Sequence, residues 1–154
     1  MRRQERACND KTFLTTMLQK AEVMTIAFQA GEFPYVIPVN FVYLDNALYF
    51  HCATEGRKLD CLKKASSTGF SIHELLEIDK EEATSRYTSL YGEGQASLVE
   101  DQEEKQSALA ALAKKYRSRC TLPVPAAMLE KTAVVKISIV SLSGKRNLPL
   151  QKAD

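Results

Sequence analysis

The sequence predicts a single domain of the mainly β class (β with a few helices), a small antiparallel barrel of about six strands flanked by about three helices. Strand-like stretches follow one another with short turns between them, whereas a doubly wound sheet requires strands and helices to alternate. Closing the sheet would also protect its edge strands from pairing with other chains. The 154 residues, 45% of them apolar and 26% charged, suit one globular domain over 1–154.

Capping residues and apolar spacing predict helices over 11–18, 55–64 and 101–116, with one further helical turn over 126–131. Asp10 is a good N-cap for the first helix, whose apolar residues share one face. The third pattern is the clearest, because its first turn is acidic and Lys114 and Lys115 lie near its end, where both charges suit the helix dipole. So few helices favour a barrel over a sheet that is covered on both faces.

Six strands are predicted, over 23–30, 33–43, 47–52, 68–75, 86–99 and 133–142. Gly31 and the Asp45–Asn46 pair supply turns between the first three strands, which indicates an antiparallel meander. Gly92 and Gly94 interrupt the fifth strand and suit a bulge or the close approach of another backbone. The acidic stretch 78–84 has no apolar period, so we expect a loop or a hairpin tip there.

Charge and composition disfavour several classes of function. The 21 Lys and Arg residues nearly balance 19 Asp and Glu residues, so we expect no concentrated basic face for nucleic acid or a membrane. No apolar run resembles a signal peptide or approaches the roughly 18 residues of a membrane helix, so a cytoplasmic location is expected. The four cysteines lack metal-ligand spacing and are expected to be reduced, and two scattered histidines are too few for a zinc centre.

The strand over 35–43 contains two residues that need an explanation. Pro38 removes a ladder donor in mid-strand, so it should lie at an edge or at a bend. Asn40 interrupts an apolar run, and its amide must find a partner. Two interpretations remain open: a buried strand with a satisfied asparagine, or a strand whose backbone and Asn40 face the edge of a flat heteroaromatic ligand.

The segment 49–58 runs from a strand through Gly56 into a helix that starts with Arg57 and Lys58. The free N–H groups and the dipole of a helix N-terminus favour a phosphate, and two cations would add to that preference. The segment has neither a Walker pattern nor the dinucleotide glycine fingerprint. The alternative is that Arg57 and Lys58 are simply solvated.

Four blocks together resemble one family, the pyridoxamine-phosphate-oxidase-like FMN-binding split-barrel superfamily, and within it the nitroimidazole-resistance-protein-like branch. The two specific blocks are G-x-x-P-Y-V-I-P-V-N-F-x-Y over 31–43 and L-Y-F-H-x-A-x-E-G-R-K over 48–58. The start M-R-R and the pair I-S-I and S-G-K over 137–145 are also similar to that branch. The resemblance spans nearly the whole chain.

The resemblance implies a six-stranded antiparallel Greek-key split β-barrel that forms a homodimer with FMN between the subunits. Carried over by position, Arg57 and Lys58 would hold the FMN phosphate, with His51 and Cys52 on the strand beside it. The partner subunit would complete the pocket with the stretch 86–90, above all Ser89. The isoalloxazine would lie along Val36, Ile37, Pro38, Val39, Asn40 and Phe41.

The function implied by the resemblance is that of an FMN-dependent oxidoreductase that reduces small nitro-heteroaromatic compounds. His51 is the one titratable group of the motif suited to proton delivery near pH 7, although a structural or phosphate-pairing role is the more common one for such a histidine. The alternatives are a flavin carrier or sensor without turnover, and a haem-binding barrel that uses His51 or His73. Pyridoxamine-phosphate oxidase activity itself is disfavoured, because Lys145–Arg146 is a thin substitute for a substrate-phosphate cluster.

Overall fold

In the computed structural model, which describes residues 3–116 and 123–148, the chain forms one antiparallel sheet of seven strands with four α-helices. The strands are β1 Val23–Phe28, β2 Tyr35–Asn40, β3 Val42–Leu44, β4 Ala47–Ala53, β5 Ser67–Asp79, β6 Thr84–Leu98 and β7 Thr132–Asn147. The helices are α1 Lys11–Lys20, α2 Arg57–Lys64, α3 Gln102–Lys115 and α4 Ala126–Glu130, preceded by a 3-10 turn at Gln4–Arg6. The mainly β class is confirmed, with four helices rather than about three because 126–130 closes into α4.

The sheet order β2-β1-β5-β6-β7-β4-β3 places β2 and β3 at opposite ends, although Phe41 alone joins them. Residues two positions apart lie within roughly 7 Å of each other, so the sheet must curl until its two edges meet. The prediction of six strands, with one strand over 33–43, is therefore wrong. The first half of that stretch pairs with β1 and the second with β4, and a single straight strand cannot pair with both edges.

Two apolar clusters hold the curled sheet. The larger lies inside it and is closed at its ends by α1 and α2, which contribute Leu18 and Leu59. The smaller lies outside the sheet, where α3 covers β4 and β7. Strand β4 serves both clusters, because Phe50 points inward while its neighbour Tyr49 points toward α3.

Local predictions at caps and turns are confirmed. The Asp10 carboxylate accepts a hydrogen bond from the Phe13 N–H at 2.8 Å, as an N-cap should. Asp45 and Asn46 adopt φ values of 49° and 61°, which a two-residue hairpin turn requires. The acidic stretch forms the tip of the β5–β6 hairpin, where Arg86 pairs with Asp79 at 2.6 Å. The bulge predicted around Gly92 and Gly94 lies between β6 and β7.

Strand β7 continues to Asn147, beyond the predicted end at residue 142, because the long β6 pairs with it as far as Tyr87. Gly144 lies where the N-terminal segment crosses this extension. The Cys8 N–H donates to the Gly144 carbonyl at 3.0 Å, and the Gly144 N–H donates to the Asn9 side chain at 3.1 Å. A Cβ at position 144 would lie 2.3 Å from the Cys8 carbonyl oxygen, so the crossing requires glycine.

Gly144→Ala is expected to lower the free energy of unfolding by about 2–3 kcal/mol, because the methyl group must displace backbone rather than a flexible side chain. Urea denaturation measures the change. Gly69→Ala is the matched control, since a Cβ there meets its nearest atom, on the Tyr91 ring, at 3.9 Å. Equal losses of stability in the two variants would contradict the close approach of the Cys8 main chain to Gly144.

Residues 3–116 and 123–148 lack two features that would indicate other functions. They contain no helix with the length and apolar character needed to cross a membrane. They also contain no group of three or more His, Cys, Asp or Glu side chains placed to hold a metal ion. Cys8, Cys52 and Cys61 are free cysteines, and Cys120 lies outside the described residues.

Candidate functional site

The start of α2 presents main-chain donors and cations without a neutralising partner. Its N-cap, Gly56, has a φ of 117°, which favours glycine, and offers no side chain to cap the helix. The helix carries four cationic residues and one acidic residue, Asp60, which lies in the first turn and pairs with Lys63 at 3.9 Å. Within the described ranges, no carboxylate lies within ion-pair distance of Arg57 or Lys58. The first turn is therefore suited to an anion.

Arg57 joins the helix start to the beginning of β2. Its guanidinium lies over the Tyr35 ring, 4.5 Å from the ring centroid. The Tyr35 ring in turn stacks on Phe28, with centroids 6.3 Å apart. The two sequence segments with predicted chemistry thus meet at one end of the barrel.

Lys58 lies close to Cys52, and both side chains are half-buried. Burial raises the pKa of the Cys52 thiol, and the ammonium of Lys58 acts in the opposite direction. His51 does not share this environment, because consecutive strand residues point to opposite faces and Cys52 packs toward the barrel core. The structure therefore brings Cys52, but not the exposed His51 side chain, toward the inner side of α2.

Strand β2 lies at the edge of the sheet order, as Pro38 predicted, and exposes Val36, Pro38 and Asn40. Ile37 and Val39 point inward and pack against the barrel core. Since proline cannot donate to β1, its position is one where the nitrogen faces the open side of the strand. Alternation then places the main-chain groups of Val36 and Asn40 on that side too. A flat ligand would find both apolar side chains and main-chain donors there.

Asn40 finds the partner that its amide needs, because Nδ2 donates to the Glu22 carbonyl at 3.3 Å. Phe41 is fully buried, and its main chain is bonded to the end of α3. Its N–H donates to the Tyr116 hydroxyl at 2.9 Å, and its carbonyl accepts from Lys115 Nζ at 3.0 Å. Phe41 therefore belongs to the framework of the site and not to its surface. No sequence pattern indicates this role of Lys115 and Tyr116, which have the residue types of an ordinary helix end.

Ser89 lies on β6, half-buried, opposite His73 of β5 and Lys145 of β7. Strands β1 and β5 separate it from β2 in the sheet, so Ser89 is not next to the β2 edge of its own chain. Its contact with a cofactor from a partner subunit stays a prediction. Arg86, in the same predicted stretch, is only 8% exposed and is paired with Asp79 of its own hairpin.

Several grooves indent the described surface. One of about 520 Å³ lies between the β1–β2 turn and the outer faces of β5 and β6, and one of about 630 Å³ lies between α1 and β5. Neither is lined by Arg57 or Lys58.

A family model described as pyridoxamine 5'-phosphate oxidase matches residues 10–146, nearly the whole chain. The protein belongs to this family. The superfamily suggested by the two motif blocks is therefore confirmed. A comparison with curated proteins finds no match.

Several solved structures are similar to the structure of this chain. A candidate 5-nitroimidazole antibiotic resistance protein from Bacteroides thetaiotaomicron has a TM-score of 0.81 and 23% identity, covering 90% of this chain and 85% of that one. The flavocytochrome Anf3 from Azotobacter vinelandii has a TM-score of 0.80 and 21% identity, covering 99% and 75%. An FAD and haem binding protein from Mycobacterium smegmatis has a TM-score of 0.79 and 19% identity, covering 96% and 77%. At these identities the likeness establishes the fold.

Proposed function

We propose that this protein binds FMN between two copies of the chain and uses it to reduce small nitro-heteroaromatic compounds. The observation that carries the proposal is the uncapped start of α2, with Arg57 and Lys58, in contact with Tyr35 at the beginning of the edge strand β2. One place in the molecule thus offers an anion site and a flat, partly apolar edge, and FMN joins a phosphate to a flat ring.

The charges at the start of α2 support the proposed binding of the FMN phosphate there. A phosphate monoester carries about −1.5 to −2 charges near neutral pH, which two cations and the first-turn N–H groups can match. Gly56 contributes by leaving those N–H groups without a side-chain acceptor. In this proposal Arg57 and Lys58 hold the phosphate, and Cys52 lies beside it.

The composition of β2 supports the proposed binding of the flavin ring along its open edge. Val36 and Pro38 supply apolar surface, and the main chain and Asn40 supply polar groups at its edge. Ile37 and Val39 only support this edge, since their side chains face the core and their main-chain groups face β1. The names of two similar folds, a flavocytochrome and an FAD and haem binding protein, favour a flavin over other phosphorylated ligands.

The second wall of the slot is proposed to come from another copy of the chain. The β5–β6 hairpin extends beyond the barrel and exposes Leu75 (57%), Leu76 (44%) and Ile78 (62%), as expected of a surface that a partner covers. The outer face of β6, with Ser89, would then reach the flavin of the other subunit. The site is incomplete without the second copy.

Bound FMN would supply the electron-transfer chemistry, while the chain orients the ring and excludes water from it. Reduction of a nitro group also consumes protons. His51 is exposed on β4 and carries an imidazole, the side chain best suited to exchange protons near neutral pH. We assign it the role of proton donor in this proposal.

Arg57→Ala with Lys58→Ala is expected to weaken FMN binding roughly 100-fold or more, because two charge-assisted interactions with the phosphate are lost. Quenching of FMN fluorescence on titration measures the affinity. Lys63→Ala with Lys64→Ala removes the same charge from the other end of the same helix and should change the affinity less than about threefold.

Equal losses in the two double variants would show that net charge, rather than the α2 start, attracts the ligand. Absorbance spectra and the mass of the released cofactor distinguish FMN from FAD, and a Soret band would identify haem. A wild-type protein that binds no flavin would overturn the proposal.

Leu75→Glu with Ile78→Glu is expected to convert a dimer into a monomer, because a charge cannot be buried unpaired at the proposed interface. Sedimentation equilibrium measures the mass. Leu98→Glu changes a 41% exposed leucine near the other end of β6 and should leave the dimer intact. FMN affinity should fall with the dimer, and a monomeric variant with wild-type affinity would refute the interfacial site.

The reduced flavoprotein is expected to be reoxidised by a nitroimidazole faster than free reduced FMN in anaerobic stopped flow. His51→Gln should slow this step by about 100-fold or more, as the loss of a general acid does, while FMN affinity stays within about threefold. Reoxidation at the rate of free FMN would identify a carrier or sensor instead. An unchanged rate in the variant would remove His51 from the mechanism.

A further inference from the structure

The end of α3 is bonded to the point where β2 gives way to β3. The Tyr116 hydroxyl accepts a hydrogen bond from the Phe41 N–H at 2.9 Å. Its own proton is shared between the carbonyls of Phe41, at 2.8 Å, and Glu22, at 2.5 Å. One hydroxyl therefore satisfies both main-chain groups of the residue that joins the two edges of the sheet.

Lys115 strengthens the same contact. Its ammonium donates to the carbonyls of Ala21, at 2.6 Å, and Phe41, at 3.0 Å, and lies 4.2 Å from the centroid of the Phe41 ring. Partial burial lowers the pKa of Lys115, and the charge of Glu22 acts in the opposite direction. The cation is thus held by carbonyl oxygens and an aromatic face. We call Lys115 and Tyr116 the α3 clasp.

Asn40 is attached to the clasp from the other side. Its amide donates to the Glu22 carbonyl, which also accepts a hydrogen bond from the Tyr116 hydroxyl. Asn40 is at the same time the exposed polar end of the open β2 edge. The last residue of the proposed ligand edge is therefore linked to the end of α3 through the Glu22 carbonyl, which both side chains bond.

We propose that Lys115 and Tyr116 are positioning residues for the cofactor, acting through Phe41 and Asn40 on the open edge of β2. This inference rests on the proposed function. Strand β2 is held by a ladder on one side only, so the bonds at its end decide where its open side lies. A movement of the α3 end is passed to that edge through a single residue, with no intervening loop to absorb it.

The α3 helix has a second polar attachment that provides a comparison. The Tyr49 hydroxyl donates to Glu104 at 2.7 Å, and Lys136 also bonds Glu104 at 2.7 Å. This contact fastens the beginning of α3 to β4 and β7 and does not touch β2. Two tyrosine hydroxyls thus anchor the same helix, and only one of them reaches the proposed site.

The test compares Tyr116→Phe with Tyr49→Phe, since each removes one hydroxyl from an α3 contact. Tyr116→Phe is expected to weaken FMN binding roughly five- to tenfold, and Tyr49→Phe less than about twofold. At saturating FMN, the visible absorption of the bound flavin should shift in Tyr116→Phe and stay at its wild-type position in Tyr49→Phe. A loss of stability alone would not move that spectrum.

Lys115→Met keeps the aliphatic packing and removes two hydrogen bonds, so it replaces Tyr116→Phe if that variant does not fold, with the same expected direction. Wild-type affinity and spectrum in a folded clasp variant, or equal losses in the two tyrosine variants, would overturn the inference. The wild-type titration tests the proposed function. The ratio of the FMN affinities of the two tyrosine variants tests the role of the clasp. A failure of one is therefore distinct from a failure of the other.

Discussion

The one-residue connection at Phe41 is the constraint on which the rest of the structure depends. It joins strands at opposite ends of the pairing order, and this forces the sheet to curl around its apolar core. The Phe41 ring is buried in that core, while its main chain, which has no ladder partner, is bonded to the end of α3. Phe41 therefore couples the closure of the barrel to the placement of β2 and to the attachment of α3.

The cations of the chain divide according to how they are held. Arg86 is paired with Asp79, Lys136 with Glu104, and Lys115 is bound by carbonyl oxygens. In the part of the chain that the structure describes, Arg57 instead contacts an aromatic ring. Such a cation at a helix start remains available to an anion, and membership of the pyridoxamine 5'-phosphate oxidase family gives that availability a functional context.

Much of the fold was predictable from the sequence, because the patterns that indicate caps and turns lie within a few residues of each other. Asp10 caps its helix and Asp45–Asn46 turn their hairpin through contacts a few residues apart in sequence, and Pro38 excludes itself from a central strand. The strand count was wrong at Phe41, since nothing local in an apolar run shows that its halves pair with different strands. The extension of β7 through Gly144 was missed for a similar reason, because its partner strand and the crossing segment are distant in sequence.

The sequence by itself determined the family, the mainly β class, and the two segments that form the candidate site, because these are recorded in residue types at fixed spacing. Only the tertiary structure decided which of those residues are exposed and which are buried. It turned Val36, Pro38 and Asn40 outward, and it turned Phe41 into the support of the strand. The physical reason is that a side chain's direction and the partners of its backbone depend on which strands and helices meet, as when Tyr116 comes to bond Phe41 from a distant helix.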